Sequence, residues 1–365
     1  MKIRKVEVIQ IETPRYYQTL PGYSGTISGH VIFKVHTDDG PVGLGEASDS
    51  RADDVAAIAA RCNELLVGRD ATRITEINEL MRARQFNSTV SDAHLAAAID
   101  IALYDLNAKA RGVPAFQLMG GKLRDRLYCC YPIFGTQVAA DFEQSAGFLQ
   151  RIVDLGHHLF RYYVSGDSEL DDRFLTEMKS RFGDRIRLKS IDMSLRFDAW
   201  DTALRYAEVL RHHDPFHFEH PSRSMRVNAE FTRRWDLPVS LHIDTLEQAR
   251  EAVELGAGTA FNIACVSSGP TYIRRIAAVA EAAGFRCLIG TDQESTIGTA
   301  AQVAVGITLP NLSLPCDPMG PVLYMESPAK ERIRAEASHL YPFEGPGWGV
   351  ELDEEKLRRL TVAAA

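Results

Sequence analysis

Polar and apolar residues alternate along Lys2 to Thr13, His30 to Thr37 and Val42 to Ala47. That is the period of strands with one buried face. The turn Asp38-Asp39-Gly40 joins the last two, so the chain is expected to open as an antiparallel meander. A helical period then takes over in Asp53 to Leu66 and Ile74 to Arg84, and most clearly in Ser91 to Arg111, where Gly112 and Pro114 supply the stop. The first domain, residues 1–125, is therefore predicted to be α+β.

From Leu127 the pattern changes to short apolar runs, each followed by an amphipathic helix, as a parallel sheet requires. The runs are Leu127 to Ile133, Leu159 to Val164, Arg185 to Asp192, His217 to His220, Val239 to Ile243, Ala260 to Val266, Arg286 to Gly290 and Leu312 to Leu314. Eight such units predict a closed (β/α)-barrel over residues 126–319, with 320–365 returning to complete the first domain. A doubly wound open sheet is the rival, but it would carry a glycine-rich phosphate turn after its first strand, and Phe134-Gly135-Thr136 is not one.

Composition narrows the function. Among 365 residues, 45% are hydrophobic and 25% charged, the balance of a globular chain with a sizeable core. The net charge of −8, without clustered lysine and arginine, argues against a nucleic-acid surface. Cys62, Cys129, Cys130, Cys265, Cys287 and Cys316 show no CxxC spacing and read as reduced core residues. The opening alternates like a strand instead of forming an apolar signal run, and no stretch has membrane length, so a cytoplasmic protein is expected. An even-numbered homo-oligomer is the default assembly.

In such barrels the chemistry sits at the carboxyl ends of the strands. The third run ends in Ser190-Ile191-Asp192, the fourth in Phe218-Glu219-His220-Pro221, and the fifth in Leu241-His242-Ile243-Asp244. Acidic or imidazole groups thus recur at matching heights on adjacent strands, and oxygen-rich ligands favour Mg²⁺ or Mn²⁺, which can stabilise an enolate. The plainer alternative has Asp192 and Glu219 capping helices or pairing with surface arginines. His217 would point inward with Glu219, and is a reserve candidate for proton transfer.

The stretch Ala96-Ala97-Ala98-Ile99-Asp100-Ile101-Ala102-Leu103-Tyr104-Asp105-Leu106, then Gly112-Val113-Pro114 and Gln117-Leu118-Met119-Gly120-Gly121, closely resembles the capping-domain helix of the mandelate racemase and muconate cycloisomerase branch of the enolase superfamily. Gly290-Thr291-Asp292-Gln293-Glu294-Ser295-Thr296-Ile297-Gly298 resembles that branch's seventh-strand motif in its cycloisomerase-like form, with a glutamate in place of a catalytic histidine. The resemblance spans nearly the whole chain. It implies a divalent metal held by Asp192 and Glu219, with the third ligand, normally acidic, falling on His242. Asp244, two residues further along the same strand, is the second choice. Mg²⁺ is the expected ion, and an imidazole among the ligands admits Mn²⁺ or another transition metal.

The family's Lys-x-Lys pair at the second strand falls on Arg161 and Tyr163, and its lysine after the sixth strand falls on Ser267. Two-lysine racemisation is not expected on that reading. One base and a metal-stabilised enolate suffice for elimination or ring opening of a small carboxylate. A lyase, either dehydratase or cycloisomerase, is therefore expected. Tyr163 is the candidate base, Arg161 the group that holds its phenolate or the substrate carboxylate, and Glu294 the candidate acid. The alternatives are an isomerase or epimerase with non-lysine bases and an enolase-like binding protein without catalysis. The segment Arg15 to Ser28, with Tyr16, Tyr17 and Tyr23, is expected to fold over the barrel mouth, as the equivalent loop does in that family.

Overall fold

The structure is a computed structural model describing residues 1–16, 27–38, 40–134 and 142–365. Asp39 of the predicted turn, Tyr17 and Tyr23 of the Arg15 to Ser28 segment, and Gly135-Thr136 lie outside the described residues.

The strands β1 (Ile3–Pro14), β2 (Ile27–Thr37) and β3 (Gly43–Ala47) form the expected meander. A late strand, β14 (Thr361–Ala364), adds to the free side of β1, giving the order β14-β1-β2-β3. Helices α1 (Val55–Leu66), α2 (Ile74–Arg82) and α3 (Asp92–Ala110) follow. Every side chain of α3 from Leu95 to Ala108 is buried, because the helix lies between β3 and the barrel helix Cys265–Ala282. Glycine at position 45 allows that closeness: a Cβ there would stand 1.9 Å from the Ala98 carbonyl oxygen.

The second sheet holds seven parallel strands in chain order: β5 (Tyr131–Phe134), β6 (Leu159–Tyr163), β7 (Arg187–Asp192), β8 (His217–Glu219), β9 (Val239–His242), β10 (Ala260–Ile263) and β11 (Arg286–Ile289). Two expectations change here. The run Leu127 to Ile133 splits, so that β4 (Leu127–Tyr128) joins a separate antiparallel sheet with β12 (Ala335–Glu336) and β13 (His339–Leu340). The eighth run forms no regular strand. Pro310, Pro315 and Pro318 deny it the N–H groups of a ladder, and single bridges from Leu312 to Cys287 and from Cys316 to Cys129 close the gap instead. The curl is nevertheless completed as far as Asp317, whose N–H donates to Ile289 O. The result is a modified barrel.

The cap is fastened to the barrel at two buried carboxylates, Glu46 and Asp100, and a third, Asp105, ties α3 to β3 and to the C-terminal segment. Glu46 accepts the N–H groups of Ser295 at 2.6 Å and Gly298 at 2.8 Å, at the start of the barrel helix Thr296–Gly306. Asp100 of α3 accepts both the N–H and the hydroxyl of Thr271 at 2.8 Å. Asp105 accepts Leu44 N and Trp348 N at 2.8 Å. All six cysteines are buried and unpaired. His157 is buried and accepts the Ser338 N–H, with burial pushing its pKa down to about 4. Among the described residues no helix is long and apolar enough to cross a membrane.

Candidate active site

Strands β7, β8 and β9 lie side by side, with Asp192 opposite Glu219 and Glu219 opposite Ser240 in the ladder. Alternation carries His242 to the same inner face one step above Ser240. Asp192, Glu219 and His242 each offer a donor atom, and all three atoms lie within 4.8 Å of one another. His242 Nε2 stands 2.9 Å from Glu219 Oε1. Asp244 is not in this group: it is exposed, and its N–H is held by the Gln248 side chain at the head of the following helix. His242→Ala is therefore expected to weaken Mn²⁺ binding by more than the roughly 10–100-fold typical of losing a supporting residue, and Asp244→Asn by much less. The reverse order in calorimetry would refute His242 as the third ligand.

Beneath these ligands is a buried ionic network that the sequence pattern did not reveal. Arg161 Nη1 lies 3.1 Å from Glu219 Oε1 and 3.0 Å from Asp317 Oδ2. Lys189 bonds Asp317 and stands 3.5 Å from Glu219. Asn262 donates to Glu219 at 2.9 Å and to Asp317 at 3.2 Å, and Ser190 donates to Glu219 at 3.2 Å. Burial alone would raise the pKa of Glu219, yet Lys189 and Arg161 hold it well below the usual carboxylate range. Asp192 moves the other way, raised by burial and by the facing Glu219, since its nearest cation is Arg161 Nε at 3.9 Å. Three carboxylates thus face two permanent cations. The excess negative charge, with two oxygens and one nitrogen as donors, suits a divalent ion. Although burial opposes protonation of His242, its bond to Glu219 raises its pKa to about 9.

Tyr163 pairs with Asp192 across the ladder. Its ring stacks on Phe134 at 4.6 Å, and the Arg161 guanidinium sits 4.4 Å from the ring centroid. Both residues line a small cavity with Thr291, Gln293 and Asp317. Arg161 Nε has no hydrogen-bond partner, whereas its Nη1 is committed to the carboxylates below.

The other sequence candidates stand further off. Glu294 is fully buried, bonded by the Thr291 hydroxyl at 2.8 Å and the Asp292 N–H at 3.1 Å, and lines neither cavity of the mouth. Burial lifts its pKa to about 8. His217 is fully buried 3.7 Å from Glu219, with burial lowering its pKa, so it supports Glu219 as a neutral ring. The Ser267 hydroxyl donates to Asp292 at 2.5 Å. After Asn262 the next inward position of β10 is Ala264, whose methyl lines a larger cavity of about 240 Å³ beside His242. A second metal-competent group, Asp172 with His212 and His213, lies on the outer helices.

Comparison with known proteins agrees with this architecture. The Enolase C-terminal domain-like family matches residues 144–356, and the Mandelate racemase / muconate lactonizing enzyme N-terminal domain family matches residues 18–120. A chloromuconate cycloisomerase of Pseudomonas putida is 27% identical over 100% of both chains. Muconate cycloisomerase 1-1 of Acinetobacter lwoffii is 29% identical over 91% of this chain and 88% of its own. The crystal structure of a muconate lactonizing enzyme from Pseudomonas fluorescens complexed with muconolactone superposes with a TM-score of 0.87 at 25% identity, covering 99% of each chain. Two domain families in sequence, full-length enzyme relatives and a matching barrel with its cap place this chain, as an enzyme, in the mandelate racemase/muconate lactonizing enzyme branch of the enolase superfamily.

Proposed function

We propose that the chain is a metal-dependent lyase, a dehydratase or cycloisomerase, acting on a small carboxylate through an enolate. The observation that carries this reading is the meeting of Asp192, Glu219 and His242 at the carboxyl ends of adjacent strands, with Tyr163 beside Asp192. A divalent ion held by those three residues, Mg²⁺ in the first instance and Mn²⁺ by virtue of the imidazole, would supply Lewis-acid stabilisation of the enolate. Tyr163 Oη takes the proton from the carbon next to the carboxylate. Arg161, over the ring face, favours the phenolate that this requires. Because Arg161 stays protonated under the pull of Asp317, Glu219 and Asp192 even against the cost of burial, it serves as a fixed charge and not as a base.

The cap is assigned to residues 1–125 with the segment 320–365, supported by the pairing of β14 with β1, and the barrel to 126–319. On the same reading the enzyme works in the cytoplasm as a homo-oligomer. The deciding experiment is a screen of small carboxylates, among them muconolactone and aldonates of three to six carbons, with Mn²⁺ or Mg²⁺ and with a chelator. Turnover that the chelator stops is the expected result. Turnover indifferent to the chelator, or none across the panel, would overturn the proposal.

A further inference from the structure

The 240 Å³ cavity has one wall on the barrel and one on the cap. On the barrel side Ala264 offers no proton-transfer group, and Glu294 is sealed behind the lining. On the cap side stands His94, in the first turn of α3. Its Nε2 is 3.2 Å from Asp292 Oδ2, and its Nδ1 is 2.5 Å from the hydroxyl of Ser91, the N-cap of the same helix. Ser267 holds the same Asp292 oxygen from the other side. Ser91, His94, Ser267 and Asp292 all line the cavity together with His242. The Asp100–Thr271 and Glu46–Ser295 clamps fix the height of α3 over the barrel. In the sheet order β6, which bears Tyr163, is separated from β10 and β11 by the ligand-bearing β7, β8 and β9, so the two groups approach the centre from opposite sides.

Resting on the proposed function, we infer that Ser91, His94 and Asp292 form the general acid of the reaction, opposite Tyr163, and that the substrate is a β-hydroxy carboxylate whose hydroxyl leaves as water. The α C–H bond breaks and its proton passes to the Tyr163 phenolate. The electron pair forms the C=C bond as the β C–O bond breaks. The leaving oxygen takes the Ser91 hydroxyl proton, and Ser91 is refilled from His94 Nδ1, so imidazolium becomes imidazole while phenolate becomes phenol. Burial lowers the proton affinity of His94, but the adjoining Asp292, with Asp244 and Asp49 beyond it, raises it overall, which supplies the charged ring an acid needs. A departing hydroxyl requires such an acid, whereas opening a lactone releases a carboxylate that does not. The arrangement therefore favours dehydration over cycloisomerisation.

The test compares leaving groups. With Mn²⁺, 2-keto acid release is followed from aldonates of three to six carbons and from 3-chlorolactate, whose chloride departs without a proton. His94→Asn and Asp292→Asn are expected to slow loss of water by at least about a hundredfold while sparing loss of chloride, with Mn²⁺ binding unchanged. Equal loss of both reactions with Mn²⁺ binding intact, or undiminished loss of water, overturns the acid. Loss of chloride but never of water from the parent chain overturns the β-hydroxy substrate and leaves the enzyme reading standing. A parent chain silent toward the aldonates and 3-chlorolactate overturns the β-hydroxy substrate, and silence toward muconolactone and the rest of the carboxylate panel as well overturns the proposed function with it.

Discussion

Glu219→Gln should abolish divalent-ion binding and also destabilise the fold by about 3–5 kcal/mol, the typical cost of removing one partner from a buried ion pair. Asp192→Asn should abolish binding alone. Glu219 is fully buried and answers Arg161, Lys189, His242, Asn262 and Ser190. Without its charge two buried cations are left to Asp317. Asp192 has only a cation at 3.9 Å and the N–H of Ser194 at 2.8 Å, which an asparagine oxygen also accepts. Because its pKa is raised in the fold, by burial first and then by Glu219, its ionised form takes stability away as pH rises through the window between the unfolded and folded values. In chelator at pH 7 the neutral Asn variant should therefore be at least as stable as the parent. Urea denaturation in chelator and Mn²⁺ calorimetry, with Asp172→Asn in the background to silence the surface group, give the answer. Full Mn²⁺ binding by the double variant Asp192→Asn, Glu219→Gln would sink the site, and equal destabilisation by the two single changes would sink the division of labour.

Tyr163→Phe should lower kcat by at least about a hundredfold, the low end of what a positioned acid or base contributes, with little change in metal affinity. The substitution keeps the ring that stacks on Phe134 and lies under Arg161, and removes only the hydroxyl. Arg161→Lys should be impaired as well, because an ammonium cannot reach Glu219 and Asp317 with one planar group while covering the ring. Near-normal turnover by Tyr163→Phe on whichever carboxylate the parent accepts would remove tyrosine from the mechanism. A matched fall in Mn²⁺ affinity would instead mark the residue as packing for the metal ligands.

The alternation of runs and helices made the barrel legible, and the resemblance around α3 made the cap so. Asp192, Glu219 and His242 stood out because each lies at or near the end of an apolar run on a neighbouring strand, and the resemblance put His242 ahead of Asp244. Lys189 was not, because the β6–β7 ladder shifts register between Phe160 and Arg161: Leu188 faces Phe160, Ser190 faces Arg161, and Lys189 is left between them. Such a bulge breaks the two-residue alternation that would have pointed Lys189 outward. Asp317 was missed for another reason. The prolines around it erase the strand signal, so the inward-pointing end of the eighth segment was set three residues early, at Leu314. His94 and Asp292 lie 198 positions apart, and no local period links a helix of the cap to a loop of the barrel.

The two carboxylate clamps between cap and barrel also bear on how such a protein can diverge. A cap tied down at Glu46 and Asp100 is a rigid jaw, and new chemistry need not wait for a barrel strand to change. Ser91, Ala93 and His94 are three neighbouring positions on one helical turn that reach the mouth from outside the barrel. Substitution there can exchange one proton donor for another without touching the ionic floor of Arg161, Lys189 and Asp317.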